Sequence, residues 1–191
     1  MPAGHVDAFA LVTERMILDQ PTTDDIDEIA EYCQDPVFEK FLTLPWPYTR
    51  SHARYFVEQY VPKGWANGSE LTWALRSRQN DGFLGTVGLR LPAADIGFWI
   101  GEPHRDKGLM TEAVRAVTDW VFGTGFAGIR TLKWECVAGN LASASVARKA
   151  GFTFTGIGPA EVPARDGSLP ESWHGMLRAD DSHTAKPGWP L

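Results

Sequence analysis

The sequence predicts a mixed α/β domain, a central and mostly antiparallel sheet with flanking helices. Three observations lead there. Two tight turns, NDG at 80–82 and PAA at 92–94, separate three β-rich runs in the middle of the chain. A helical stripe of Leu109, Met110, Ala113, Val114, Val117, Trp120 and Val121 follows them directly. Strand and helix patterns then alternate, as in layered α/β architectures.

Each element has a local reason. FALVTERMIL (9–18) reads as a strand. Residues 23–33 read as a helix, with Thr22 or Thr23 as its cap and Asp24, Asp25 and Asp27 near its positive end. FEKFLTLPWPYT (38–49) crowds aromatics and prolines with no period, which predicts a shaped loop. SHARYFVEQYV (51–61) predicts a short helix ended by Pro62. LTWALRS (71–77), FLGTVGLRL (83–91) and DIGFWIG (95–101) are the three strands of the meander. After the long helix, TLKWECV (131–137) is a strand. NLASASVARKA (140–150) is a helix capped by Asn140 and stopped by Gly151, and FTFTGIG and SWHGML complete the sheet. One domain over 1–178 is expected, with 179–191 as a flexible tail.

Composition excludes several classes of function. Hydrophobic residues make up 43% of the 191, a globular value. No apolar run approaches the roughly 20 residues of a membrane span, and MPAGHVDAFA lacks the layout of a signal peptide. No membrane association and a cytoplasmic location are therefore expected, with Cys33 and Cys136 as reduced thiols. A net charge of −6 argues against nucleic acid as a partner. Any polyanionic ligand must be held by a local arrangement.

Two glycine patterns compete for that role. Gly123-Thr-Gly125-Phe-Ala-Gly128 matches G-x-G-x-x-G, but it closes a helix and leads into a strand, the reverse of a dinucleotide fingerprint. HRDKGLMTEA (104–113) is placed correctly, after a strand and opening a helix. Gly108 permits close approach, and the amides of about 105–110 precede any intrahelical partner, so a diphosphate would satisfy them.

NLASASVARKAGF (140–152) resembles the N-x-x-S-x-x-V-x-x-K-x-G-F signature of the GNAT acyltransferase superfamily, and HRDKGLMTEA resembles its Q/R-x-x-G-x-G/A coenzyme A loop. About 30 residues separate the two landmarks, the spacing the family uses for helix, loop and strand. DIGFWIGEPHRDKG is similar to the strand-plus-loop of the branch that acetylates ribosomal-protein N-termini. Met110 departs from the loop pattern, which backbone binding tolerates if its side chain points into the core.

The resemblance implies the GNAT acyl-CoA N-acyltransferase fold, acetyl-CoA as co-substrate without a metal, and direct attack by an amine on the thioester. It implies a diphosphate on the amides of Arg105, Asp106, Lys107, Gly108, Leu109 and Met110, with Arg105 and Lys107 adding charge. Asn140 would bond the pantetheine arm, and Ser143 would bind the cofactor and protonate the leaving sulfur. Glu161 falls, with a one-residue slip, near the branch's water-activating glutamate. Asp95, Glu135, His104 and His174 are rival proton acceptors. Phe41, Trp46, Tyr48 and Tyr55 are expected to line the acceptor side. The acceptor is either a protein N-terminus or a small amine, an amino-bearing antibiotic included. A silent coenzyme A-binding module is the reading from another class. Dimers are common in the family, and a homodimer is the expected assembly.

Overall fold

The N-terminal stretch expected as one strand is a hairpin. Thr13 breaks it: its N–H donates to Met16 O at 2.9 Å and its Oγ1 accepts from Met16 N at 2.9 Å. The result is β1 (Leu11–Val12) turning back antiparallel onto β2 (Met16–Asp19). The computed structural model describes residues 5–191, and its eight strands form one sheet in the order β1-β2-β3-β4-β5-β6-β8-β7. The antiparallel meander is where the turn chemistry places it, in β3 (Glu70–Ser77), β4 (Phe83–Arg90) and β5 (Asp95–Ile100). β6 (Thr131–Val137) runs parallel to β5. β8 (Glu171–Arg178) inserts between β6 and the edge strand β7 (Thr153–Pro159).

The helices between β2 and β3 differ from the sequence expectation in two places. Thr22 caps the first as expected, in a reciprocal box with Asp25, ahead of α1 (Ile26–Tyr32). The supposed loop at 38–49 overlaps a short helix, α2 (Pro36–Phe41). Asp35 caps it through Val37 N at 2.9 Å, and Pro36 sits where no N–H is needed. Pro62 does not end the next helix. α3 (Arg50–Tyr55) passes through a π turn (Phe56–Tyr60) into α4 (Val61–Asn67), and the wider turn absorbs the N–H that proline lacks. Gly68, left-handed at φ 64°, closes the run.

Strand alternation divides the sheet into two faces. Leu71, Trp73 and Leu75 of β3 turn toward α5 (Leu109–Thr124), where Val114, Val117 and Val121 are fully buried against them. Ala74 and Phe83 pack on the other side with Ile29, Ala53 and Val57 from α1, α3 and the π turn. α6 (Leu141–Lys149) adds Ala144 and Ala147 to the first core. The segment 179–191, expected as a flexible tail, carries no helix or strand but lies against this body. His183 bonds Ala150 O at 2.7 Å and Asp119 at 2.6 Å, and the Trp189 ring sits 5.4 Å from that of Trp134. Among the described residues no helix is long and apolar enough to cross a membrane.

One irregularity positions the site. β5 and β6 share a single register pair, Asp95 with Lys133, sealed by Lys133 N to Ala94 O at 2.8 Å. Beyond that point the two parallel strands separate, and the sheet splits.

Candidate active site

The split opens into a cleft of about 1600 Å³ that reaches both faces of the sheet. At the C-terminal end of β5 the chain forms the loop that the sequence singled out. Gly101 is required there, because a Cβ would lie 2.6 Å from the Tyr32 ring. A 3-10 turn over Glu102–His104 follows, then two left-handed residues, Asp106 at φ 60° and Gly108 at φ 73°. The first bond of α5 is Glu112 N to Gly108 O at 3.1 Å, and no side chain caps the helix. The Arg105 amide, expected among the free donors, is taken by Glu102 O at 3.2 Å, so it is the amides of 106–111 that lie ahead of the ladder, at the positive end of a 16-residue helix. That arrangement suits an anion. Met110 is buried in the core, so its departure from the motif leaves the amides clear.

The charge expected from Arg105 and Lys107 is engaged elsewhere. Arg105 Nη2 lies 2.6 Å from Asp35 Oδ2, an ion pair set off hydrogen-bonding angles, and its guanidinium rests 5.3 Å from the Phe38 ring centre. Lys107 Nζ donates to Pro103 O at 2.8 Å, and Lys107 is not among the cleft's lining residues. Sequence reasoning missed the cation that braces this loop. Arg15, from the β1–β2 turn, donates to Lys107 O at 2.8 Å and pairs with Glu112 at 2.6 Å. Its partner lies 97 residues away and leaves no local sign.

The opposite wall is the start of α6. Asn140 Oδ1 accepts from Ser143 N at 3.1 Å and so caps the helix. Trp134 Nε1 donates to Ser143 Oγ at 3.2 Å. The same hydroxyl also lies within hydrogen-bonding reach of the Cys136 thiol. Cys136, beside it, has its thiol pushed up to about 12, chiefly by burial and then by Glu135, and stays protonated. Asn140→Ala is expected to cost about 1 kcal/mol of stability as a lost cap. Chemical denaturation measures that loss separately from any change in ligand affinity.

On the other face of the sheet, three of the sequence candidates converge. Glu135 of β6 and His174 of β8 are register partners, with Nδ1 and Oε2 3.7 Å apart. Glu161, after β7, donates its main-chain N–H to both Glu135 oxygens, at 3.2 and 3.0 Å, while its carboxylate pairs with Lys133 at 3.2 Å. The three side chains offer ligand atoms within 4.8 Å of one another, but the Lys133 ammonium beside them opposes a metal cation. The other rivals are taken up. Asp95 is paired with Arg90, and His104 bonds Tyr32 Oη at 3.0 Å, its pKa held down by burial and then by Lys107.

The expected acceptor wall is partly met. Phe41, Tyr48 and Tyr55 line the cleft, and Trp46 does not. Tyr48 is nearly buried against His52, whereas Tyr55 is exposed. Phe38, Phe56 and Trp99 line it too, and their spacing had given no sign of this. Arg165, from the β7–β8 loop, closes the wall by donating to Leu42 O at 3.0 Å, to Leu44 O at 2.9 Å and to Glu39 O.

A family model for an acetyltransferase (GNAT) domain matches residues 15–153. The chain is 29% identical over 118 residues to the uncharacterized N-acetyltransferase p20 of Bacillus licheniformis, covering 59% of this chain and 65% of that one. It matches less than two thirds of the length of the curated relatives. The fold superimposes on RimL, a ribosomal α-N-protein acetyltransferase, in complex with coenzyme A. There the TM-score is 0.74 at 16% identity, covering 89% of this chain and 98% of that one. It superimposes also on the microcin C7 self-immunity acetyltransferase MccE with acetyl-CoA and AMP. There the TM-score is 0.73 at 19% identity, covering 87% and 93%. At such identities the likeness is one of fold.

Proposed function

Because the chain belongs to the GNAT acetyltransferase family, we propose that it transfers an acetyl group from acetyl-CoA to a primary amine by direct attack. The observation that carries this reading is the split between β5 and β6, with the anion-ready loop and Ser143 on one side and the Glu135–Glu161–His174 corner on the other. The diphosphate takes the amides of 106–111, and the pantetheine arm follows the split past Asn140. The thioester then faces the aromatic half of the cleft, where the amine enters. Holding the two reactants in one channel supplies much of the acceleration. The amine's proton leaves toward the carboxylate corner formed by Glu135 and Glu161, and Ser143 donates to the departing sulfur.

The acceptor we assign is a protein N-terminal α-amine. The RimL-like fold and the exposed Tyr55 at the mouth of the cleft support that assignment. A small amine is the second reading, favoured by the Arg165 bracing that narrows the acceptor half. Free-thiol release from acetyl-CoA against a panel of N-terminal peptides and small amines tests both. Release with peptides supports the first, and release with amines alone selects the second. Binding of acetyl-CoA without release for any acceptor reduces the chain to a coenzyme A-binding module.

Ser143→Ala is expected to lower kcat roughly tenfold with acetyl-CoA affinity unchanged. The effect falls below the roughly 100-fold or more usual for general acids because a thiolate of pKa about 8.5 already leaves readily. An unchanged kcat would remove Ser143 from the chemistry.

A further inference from the structure

Resting on the assignment of Ser143 as the acid, we infer that the C-terminal segment 179–191 is a strap that sets the position of the Ser143 hydroxyl, acting through Trp189 and Trp134. The segment lies beyond residues 15–153, the part that the family model matches. It grips the far end of α6, the helix that carries Ser143 in its first turn. His183 reaches the Ala150 carbonyl at 2.7 Å, one of the acceptors that a helix leaves without an internal partner, and its other ring nitrogen meets Asp119 of α5 at 2.6 Å. Arg115 of α5 ties the same corner, donating to Lys149 O at 2.5 Å and to His183 O at 3.0 Å. Gly151 makes the passage possible, because at φ 99° a Cβ there would lie 2.6 Å from Ser182 O. Lys186 then pins the strap to the first residue of β7, with Nζ 2.9 Å from Thr153 Oγ1 and 2.8 Å from Asp181 Oδ1.

The strap ends by delivering Trp189 to the sheet. Its ring packs against Trp134 of β6 and Phe154 of β7, with centres 5.4 and 5.6 Å apart. Gly175 of β8 leaves room for both indoles, since a Cβ there would stand 3.3 Å from Trp134 and 3.4 Å from Trp189. The Trp189 N–H has no hydrogen-bond partner among the described residues, so ring packing is what holds this side chain. Trp134 is 2% exposed, and its own N–H donates to Ser143 Oγ at 3.2 Å. An indole N–H only donates, so this bond takes one lone pair of the hydroxyl and fixes where the oxygen sits. The strap therefore supports both partners of that bond, the indole from behind and the helix from its other end. A group that must meet a leaving atom depends on such support. Trp189 and Trp134 are positioning residues in this sense.

The test uses the full chain, acetyl-CoA and the best acceptor of the panel, with kcat from thiol release, acetyl-CoA affinity from calorimetry and folding from a denaturation curve. Trp189→Ala should lower kcat about fivefold, inside the roughly tenfold ceiling set by Ser143→Ala. Acetyl-CoA affinity should stay within about twofold, because the strap bonds α5, α6 and β7 and not the loop over 106–111. Trp189→Phe keeps a ring against Trp134 and gives up only an unpartnered N–H, so it should recover most of the rate. Trp134→Phe removes the N–H that Ser143 accepts and should lose about as much as Trp189→Ala. The deciding measurement is coupling. In a Ser143→Ala background, Trp189→Ala should cost less than about twofold more, since no hydroxyl is left to place. Equal losses with and without Ser143 overturn the inference and reduce the strap to a support of the fold. So does a folded Trp189→Ala enzyme that keeps full kcat. Should Trp189→Ala not fold, His183→Ala decides by the same comparison, with a loss of about threefold expected only where Ser143 is present. A folded wild type with no turnover sinks this inference and the acetyltransferase reading together, whereas turnover indifferent to Ser143→Ala sinks this inference and leaves that reading in place.

Discussion

Arg76→Ala is expected to destabilise the protein by about 3–5 kcal/mol, the cost of stranding a buried charge. Asp25 is 3% exposed, at the end of the 3-10 turn that leads into α1. Arg76, reaching up from β3, donates from Nη1 to Asp25 Oδ1 at 2.5 Å and from Nη2 to Oδ2 at 2.6 Å, and its Nε reaches Asp19 at 2.7 Å. The fork holds two carboxylates at once. Burial already raises the pKa of Asp19 against the pull of Arg76, so the two acids tolerate each other only through the guanidinium. Without it, the Asp25 carboxylate is left in a dry site with Thr22 to hold it, through N at 2.7 Å and Oγ1 at 3.3 Å. In a chain of this size the loss should appear as a fall in Tm of roughly 10 °C. Arg76→Lys should recover less than half, because an ammonium lacks the fork. A loss below about 1 kcal/mol would show that water solvates the cluster.

Gly108→Val is expected to weaken acetyl-CoA binding about 100-fold while leaving the fold intact. At φ 73° this residue ends the loop and starts α5. A β-branched side chain avoids that region strongly, so the backbone there would rotate away. Rotation would re-aim the amides proposed to meet the diphosphate, and losing one or two charge-assisted bonds at about 1.5–3 kcal/mol each gives a change of that order. The position has open space, since the nearest atom to a Cβ is Arg15 Nη2 at 3.6 Å, so conformation rather than collision carries the effect. Calorimetry with acetyl-CoA, beside an unfolding curve, separates the two. Unchanged affinity would move the diphosphate off this loop.

What the sequence disclosed was local chemistry. The NDG hairpin, the stripe of α5, the Asn140 cap and the glycine at the head of the long helix each follow from a few adjacent residues. What it concealed was pairing across distance or competition within a turn. Thr13 folds one apparent strand into two because its side chain satisfies the backbone three residues on. Pro62 passes within a helix because a π turn precedes it. Arg105 and Lys107 looked free for an anion because neither Asp35 nor Pro103 announces itself as a partner. Glu135 and His174 were separate candidates in the sequence, and only the β6–β8 register makes them neighbours.

The single rung between Asp95 and Lys133 has a mechanical meaning. Past it, no ladder pair joins the two halves of the sheet, which are held together by α5, by the shared core and by Arg165. A guest lying in the seam replaces the missing rungs, so the protein should stiffen in proportion to how much of that guest is bound. Occupancy and rigidity are then one variable, and a guest with a Kd one hundredth of its concentration adds about 2.7 kcal/mol to the folded state.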